Sequence, residues 1–183
     1  MRVSQAEKLN THQRIIATAK QLFKSNGVEK TSVVQIMQAA GLTHGGFYRH
    51  FKDKNQLIEV AIQSSFDEVR EDLQAGFKRK STTKTLDEYN ALYLSKKHLE
   101  NPQFGCPIPS LASEVAKEGD EFKEAFGLGF QGLIEQLKLG FMGTEPEMEA
   151  QAIRQISMMA GAVLIARASD AKTAKKVLTA CKA

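Results

Sequence analysis

Apolar side chains recur three and four residues apart along almost the whole chain, which is the spacing of one face of an α-helix. No run alternates apolar and polar residues over the length of a strand. The pattern therefore predicts an all-α fold. The predicted helices cover about 10–25, 32–40, 43–51, 54–80, 85–100, 110–119, 120–142 and 146–169, and a last helix starts after Asp170.

The stretch 31–54 differs from the long helices around it, because it predicts two short helices joined by a tight turn. Gly41 ends the first helix, since glycine enters the left-handed conformation of a helix C-terminus without steric cost. Thr43 begins the second helix, whose paired Gly45 and Gly46 each cost about 1 kcal/mol in helix propensity. That cost is explained if the backbone approaches a nucleic acid closely.

A short polar and basic helix after a helix and a glycine turn is typical of a helix-turn-helix DNA-binding domain. The alternative is a turn weakened by glycine between two core helices. Charge favours DNA binding: residues 1–55 hold nine Lys or Arg and three Asp or Glu, a net charge of +6, whereas residues 56–183 hold sixteen and eighteen, a net charge of −2. A basic N-terminal part suits the phosphates of DNA. Solvated surface charge explains single lysines but not this asymmetry.

Several classes of protein are not indicated. The sequence has no apolar run near 20 residues, so no transmembrane helix is predicted. Its first residues lack the charged, then apolar, then small-residue regions that make up a signal peptide. Cys106 and Cys181 are too few for a disulfide framework or a zinc site. No nucleophile–base pair or phosphate-binding loop is present. We expect a cytoplasmic protein that is not an enzyme, uses no cofactor or metal and does not contact a membrane.

The segment 101–109 is unusual, because two prolines and a glycine interrupt the helical pattern. Cys106 lies just before the next helix, where a helix N-terminus favours the thiolate and hence oxidation or alkylation. The alternative is a small, inert, buried side chain. A cavity for an apolar effector is predicted near Cys106 and Phe104, together with Phe126 and Phe130 of the aromatic stripe in the helix over 120–142. Plain core packing is the alternative for each phenylalanine.

The stretch around Gly41 resembles the DNA-binding domain of TetR-type transcriptional regulators. The residues that carry the resemblance are Gly41-Leu42-Thr43, Phe47-Tyr48, His50-Phe51, Lys54 and Leu57. The resemblance covers about 50 residues and implies a three-helix DNA-binding domain at 1–53. It also implies a helical domain at 54–183 that binds a small effector and forms a homodimer. In that dimer the final two helices, the first of them over 146–169, pack against the same two of a second subunit as a four-helix bundle. An intramolecular core helix is the alternative for that segment.

The resemblance also implies roles for individual residues. The residues expected at phosphates are Thr31, Ser32, Thr43, Tyr48, His50 and Lys54. Those expected at or near base edges are His44, Gly45 and Arg49. The implied function is a dimeric repressor that binds a palindromic operator and is released by an unknown small molecule. The segment around Cys106 resembles one in several TetR-type regulators, including some that sense electrophiles or oxidants, so a thiol-based repressor acting through Cys106 is the alternative.

Overall fold

The computed structural model describes residues 4–182, and in that range the chain is helical without a strand, as the sequence predicts. We number the α-helices along the chain, and we call the first of the two 3-10 helices the reading helix. The bounds are α1 Gln5–Asn26, α2 Val33–Ala39, the reading helix His44–Arg49, α3 Lys54–Arg79, α4 Thr82–Tyr93, α5 Lys96–Glu100, a second 3-10 helix Pro102–Phe104, α6 Ile108–Val115, α7 Asp120–Lys138, α8 Glu145–Arg167 and α9 Ala171–Ala180.

The head, residues 4–53, is a three-helix unit made by α1, α2 and the reading helix. Its core holds six buried side chains, Ile15, Ala19, Phe23, Ile36, Phe47 and Phe51, and Leu42 packs against them partly buried. Ser32 starts α2 with a capping box, in which the backbone N–H of Gln35 donates to Ser32 Oγ at 3.2 Å and the backbone N–H of Ser32 donates to Gln35 Oε1 at 2.7 Å. Gly41 follows with φ +67°, the left-handed conformation that the turn requires.

The first helix begins about five residues before its predicted start. Ser4 Oγ accepts the backbone N–H of Glu7 at 3.1 Å, and this N-cap starts the helix at Gln5. The prediction placed the start at the first apolar periodic positions and overlooked this cap. Residues 1–3 and 183 lie outside the described part of the chain.

The body, residues 54–182, is built on the pairing of α3 with α7; α8 packs against α7, and α9 packs against α8. Gly129 permits the close approach of α3, since a Cβ atom there would lie 2.3 Å from Phe66 Cδ2. Within residues 4–182, none of the helices is both long and apolar enough to cross a membrane.

The prediction of a single helix over 85–100 is wrong, because this part of the chain forms two helices, α4 and α5, with a break between them. Ser81 caps α4, which therefore starts at Thr82, before the predicted start at 85, and Thr85 itself is buried. The break follows Tyr93, whose carbonyl accepts a hydrogen bond from His98 Nδ1 at 2.6 Å. Ser95 Oγ then accepts the backbone N–H of His98 at 3.1 Å and starts α5. Residues on both sides of this break line the cavity that is described below.

Candidate nucleic-acid interface and effector cavity

The reading helix presents polar and aromatic side chains to solvent while Phe47 anchors it in the core. Tyr48 is 64% exposed, and its ring meets that of His44 edge to face at 5.9 Å. A Cβ atom added at Gly45 would meet no protein atom within 4 Å. Nothing inside the described chain therefore requires glycine at this position. The helix is 3-10 in form, and Thr43 precedes it without a side-chain cap bond.

A cluster of cationic and titratable side chains lies at the end of the reading helix. The His12 ring stacks on Phe51 at 4.6 Å and lies 5.8 Å from the His50 ring. Burial, followed by the positive charges of His12, Lys8 and Arg49, lowers the pKa of His50. A phosphate would reverse that effect, because it favours the protonated ring. Lys8 and His12 were not among the predicted site residues; their spacing of four residues, which puts them on one face of α1, is the signal that could have identified them.

Three expected phosphate contacts are already engaged inside the protein. Thr31 is 1% exposed and donates its hydroxyl to the carbonyl of Gly27 at 2.6 Å, so its side chain does not face solvent as the sequence analysis expected. Ser32 Oγ serves as the cap of α2. Lys54 Nζ donates to the carbonyl of Val28 at 2.7 Å from a partly exposed position, and burial lowers its pKa. Of these three, only Ser32 and Lys54 keep exposed surface.

Two polar contacts tie the head to the body. Lys24 is 5% exposed, and its Nζ donates to the carbonyl of Gly105 at 3.0 Å. Burial lowers the pKa of Lys24, and the charge of Glu68 partly offsets that effect. The backbone N–H of Val28 donates to Glu114 Oε2 of α6 at 2.5 Å. Lys24, counted in the positive charge of the N-terminal part, therefore joins the head to the body and is not exposed at the surface.

A cavity of about 370 Å³ lies in the body between α3, α4 and the segment that follows α4. Its lining residues are Glu68, Val69, Asp72, Tyr89, Leu92, Tyr93, Lys97, His98, Asn101, Phe104, Gly105 and Cys106. The predicted Phe104 and Cys106 line it, whereas Phe126 and Phe130 do not. Phe126 packs on Phe66 at a ring distance of 5.2 Å, because the glycines of α7 bring α3 close. Tyr89, Tyr93 and His98 also line the cavity, although the sequence pattern did not predict them there.

The environment of Cys106 opposes thiolate formation. Burial raises the pKa of its thiol, whereas the sequence analysis expected the neighbouring helix to lower it, so the expected direction is wrong. The backbone N–H of Cys106 donates to His98 Nε2 at 3.1 Å. His98 is therefore an acceptor at Nε2 and a donor at Nδ1, the neutral tautomer. Burial also lowers the pKa of His98. No group of three or more His, Cys, Asp or Glu residues within 4–182 is arranged to hold a metal ion.

Comparison with known proteins gives concordant results for the head and for the whole fold. The family model described as "Bacterial regulatory proteins, tetR family" matches residues 15–61. The HTH-type transcriptional regulator AcrR of Shigella flexneri is 39% identical over 79 residues, which are 42% of this chain and 37% of AcrR. The HTH-type transcriptional repressor BepR of Brucella suis is 36% identical over 62 residues, 34% of this chain and 30% of BepR. The match thus spans about a third of these curated relatives.

Solved structures match almost the entire chain. A TetR transcriptional regulator from Chloroflexus aurantiacus superposes with a TM-score of 0.76 at 27% identity, covering 97% of this chain and 95% of that protein. The reduced form of Escherichia coli NemR superposes with a TM-score of 0.78 at 19% identity, covering 94% and 95%. The NemR likeness bears on the fold alone.

Proposed function

Since this chain belongs to the TetR family of transcriptional regulators, we propose that it is a dimeric repressor that binds a palindromic operator and leaves it when a small molecule fills the cavity of the body. Proteins of this family are DNA-binding regulators and not enzymes. In this proposal the protein works in the cytoplasm, beside the DNA that it controls.

The exposed face of the reading helix carries the proposal. Gly45 has open space in front of it and Tyr48 stands 64% exposed, so backbone and side chain are both free to meet DNA. His44, Gly45 and Arg49 lie at or near base edges, as expected of the N-terminal end of a helix in the major groove. Tyr48, His50, Ser32, Thr43 and the partly exposed Lys54 contact phosphates. Lys8 adds positive charge near His50, and the His12 ring lies 5.8 Å from the His50 ring.

A second copy of the chain would cover the apolar surface of α8. Met158, Leu164 and Ile165 are large apolar side chains that stand exposed on this helix. Exposed apolar side chains gathered on one element indicate a protein contact. One reading helix spans only a few base pairs, and a two-fold pair reads two half-sites and gains specificity. A homodimer would thus remove the exposed apolar side chains of α8 from water and would also provide the two reading helices that specific DNA binding requires.

The cavity is the proposed effector site because its wall contacts the head directly. Gly105 lines the cavity and accepts the hydrogen bond of Lys24 from α1. Glu114, a few residues later, accepts the backbone N–H of Val28. A ligand that displaces this segment would shift α1 and change the separation of the two reading helices. A coupling of about 1–3 kcal/mol is typical of such regulation.

The thiol-based alternative receives less support from the geometry. Cys106 lines the cavity but is 5% exposed, and burial raises its pKa. Oxidants and electrophiles attack the thiolate, which this environment suppresses. Replacing Cys106 with serine separates the two triggers. A variant that still leaves DNA on exposure to an electrophile or oxidant would argue against a thiol sensor.

Sequencing the DNA that the purified protein retains from its genome would test the central proposal and identify the operator. A Gly45→Leu variant should then lose at least about 10-fold in operator affinity, because the side chain would fill the space that the backbone of DNA or a base edge occupies. Its melting temperature should stay within about 2 °C of wild type. Met142→Ala, at an exposed loop of the body, is the matched control. Unchanged operator binding by Gly45→Leu would contradict the assigned face.

A further inference from the structure

We propose that Glu114 of α6 holds the head in one orientation on the body and thereby selects the spacing between the two half-sites of the operator. It does so through its hydrogen bond to the backbone of Val28. This role deepens the proposed function and rests on it, because half-site spacing has a meaning only for a dimer on DNA. The hydrogen bond itself belongs to the folded chain and is testable without DNA.

The carboxylate of Glu114 occupies a recess at the C-terminal end of α1. Glu114 Oε2 accepts the backbone N–H of Val28 at 2.5 Å. Gly27, the residue before, has φ +89°, and a Cβ atom added there would collide with the Glu114 carboxylate. The carboxylate therefore reaches the backbone only because position 27 carries no side chain. A hydrogen bond to a carboxylate is among the stronger polar contacts in a protein.

The turn that receives this bond is held at its other backbone polar groups as well. The backbone N–H of Gly27 donates to the carbonyl of Phe23 at 3.0 Å, and the carbonyl of Gly27 accepts the hydroxyl of Thr31. The carbonyl of Val28 accepts Lys54 Nζ at 2.7 Å, and the Val28 side chain is 4% exposed. A displacement of Val28 is therefore transmitted to α1 and α2, since no loose loop is present to absorb it.

The helix that carries Glu114 also contacts the helix proposed to form the dimer. α6 packs against α8, and Arg167 Nη1 at the end of α8 donates to Ser110 Oγ of α6 at 3.2 Å. Ser110 and Glu114 lie about one turn apart on α6, and Leu111 between them is buried. α6 is thus a short bridge from the proposed dimer surface to the head.

Glu114 supplies a second directional contact between the head and the body. Lys24 of α1 already donates to the carbonyl of Gly105. Apolar packing is non-directional, whereas a hydrogen bond has a preferred angle, so two such bonds four residues apart restrict the rotation of α1 on the body. Gly105 lines the cavity but Glu114 does not. Replacing Glu114 therefore alters the orientation of the head and leaves the cavity wall unchanged.

A fixed head makes the dimer sensitive to half-site spacing. One base pair inserted between the half-sites moves them apart by about 3.4 Å and turns one relative to the other by roughly 34–36°. Two heads held at fixed angles cannot follow this change without losing contacts. A head released from Glu114 can follow it, so the affinity for the altered spacing should approach that for the native one.

Fluorescence anisotropy tests this role with the operator recovered from the genome and with versions that carry one base pair more or one fewer at the centre. Wild type should bind the native spacing at least about 10-fold more tightly. Glu114→Ala should reduce this ratio at least about 3-fold, and one hydrogen bond to a charged group, worth roughly 10- to 150-fold, sets the limit for each head. The salt dependence should stay as in wild type, because Glu114 contacts no phosphate in this proposal.

Two variants separate the hydrogen bond from the charge of Glu114. Glu114→Gln keeps an acceptor oxygen and should keep the wild-type ratio. Glu118→Ala is the matched control, because Glu118 lies beyond the end of α6 and its charge acts on Lys54 as that of Glu114 does. It removes one carboxylate near the head without removing the bond to Val28. An unchanged ratio in Glu114→Ala, or an equal loss in Glu118→Ala, would overturn the role of Glu114.

Amide hydrogen exchange on the protein without DNA distinguishes a failure of this role from a failure of the proposed function. The Val28 amide should exchange faster in Glu114→Ala than in wild type, Glu114→Gln or Glu118→Ala. Equal exchange in all four proteins would overturn the role of Glu114. A wild type that binds every spacing equally would contradict paired reading of DNA, and faster exchange in Glu114→Ala would then still support Glu114 as the residue that holds the head.

Discussion

Two lysines of the same charge and nearly the same local bonding should respond in opposite ways to DNA. Lys24 Nζ donates to the carbonyl of Gly105 at 3.0 Å, and Lys54 Nζ donates to the carbonyl of Val28 at 2.7 Å. Lys24 is 5% exposed, whereas Lys54 lies partly exposed at the N-terminus of α3. We therefore expect Lys54, and not Lys24, to neutralise a phosphate in the operator complex.

The magnitude follows from counterion release, in which the logarithm of the binding constant falls with the logarithm of salt by about 0.9 for each phosphate neutralised. In the Lys54→Met dimer, which loses one phosphate contact in each head, the slope of log binding constant against log salt should be smaller by about 1.8. A fourfold rise in salt should then cost wild type about 12-fold more affinity than this variant. Lys24→Met should keep the wild-type slope, because a buried side chain releases no counterion.

The assay is fluorescence anisotropy with the labelled operator over a salt series, and urea unfolding of each variant serves as the control for folding. Lys24→Met should unfold within about 1 kcal/mol of wild type, since the lost hydrogen bond is offset by removal of a buried charge. An equal loss of slope in both variants, or an unchanged slope in Lys54→Met, would refute the assignment of the two lysines.

Three further predictions concern stability. Arg167→Met should lower the free energy of unfolding by about 2–3 kcal/mol and the melting temperature by roughly 4–12 °C, because Arg167 donates to the carbonyls of Leu99 and His98. Arg167→Lys should lose less stability. A melting temperature of Arg167→Met equal to that of wild type would contradict this role of Arg167. In thermal unfolding, Gly129→Ala should destabilise the protein by about 1–3 kcal/mol, because the added methyl group would clash with α3. Gly127→Ala should stabilise it by about 0.5–1 kcal/mol, because the space around Gly127 is open. A more stable Gly129→Ala than Gly127→Ala would contradict the close packing of α3 on α7 at Gly129. Burial lowers the pKa of His98, so the unfolded chain binds a proton at this histidine more readily than the folded chain, and the free energy of unfolding should fall as the pH drops below about 6.5. In urea unfolding over a pH series, His98→Gln should show a smaller fall. An unchanged pH profile in the variant would exclude His98 as the source of the fall.

Local rules were sufficient for the head. The left-handed glycine at Gly41 depends on neighbours within a few residues, and the structure places it as predicted. The cap at Ser32 has the same local origin. Asp53 also acts locally, because its side chain caps α3 by accepting the backbone N–H of Gln56 at 2.9 Å. Residues that interact over a short sequence distance leave a readable pattern, because a cap or a helix face is defined by spacing alone.

The cavity could not be read in this way. Phe126 and Phe104 are both aromatic residues beside glycines, yet Phe126 packs on α3 and Phe104 lines the cavity. Which of them faces open space depends on how closely α3 approaches α7, and that distance is set by Gly129 and Phe66 together. Periodicity shows that a side chain is apolar but not which partner it meets.

By itself, the sequence determined the helical class, the position of the reading helix and the excess of positive charge near the N-terminus, since each depends on composition or on spacing within one element. The tertiary structure alone decided that Lys24 joins the head to the body, that Thr31 is buried and that Tyr89 and Tyr93 share a cavity with Cys106. These facts arise from contacts between residues far apart in the chain. The free energy of burying a charge or a hydroxyl depends on what surrounds it in three dimensions, and a linear pattern does not contain that information.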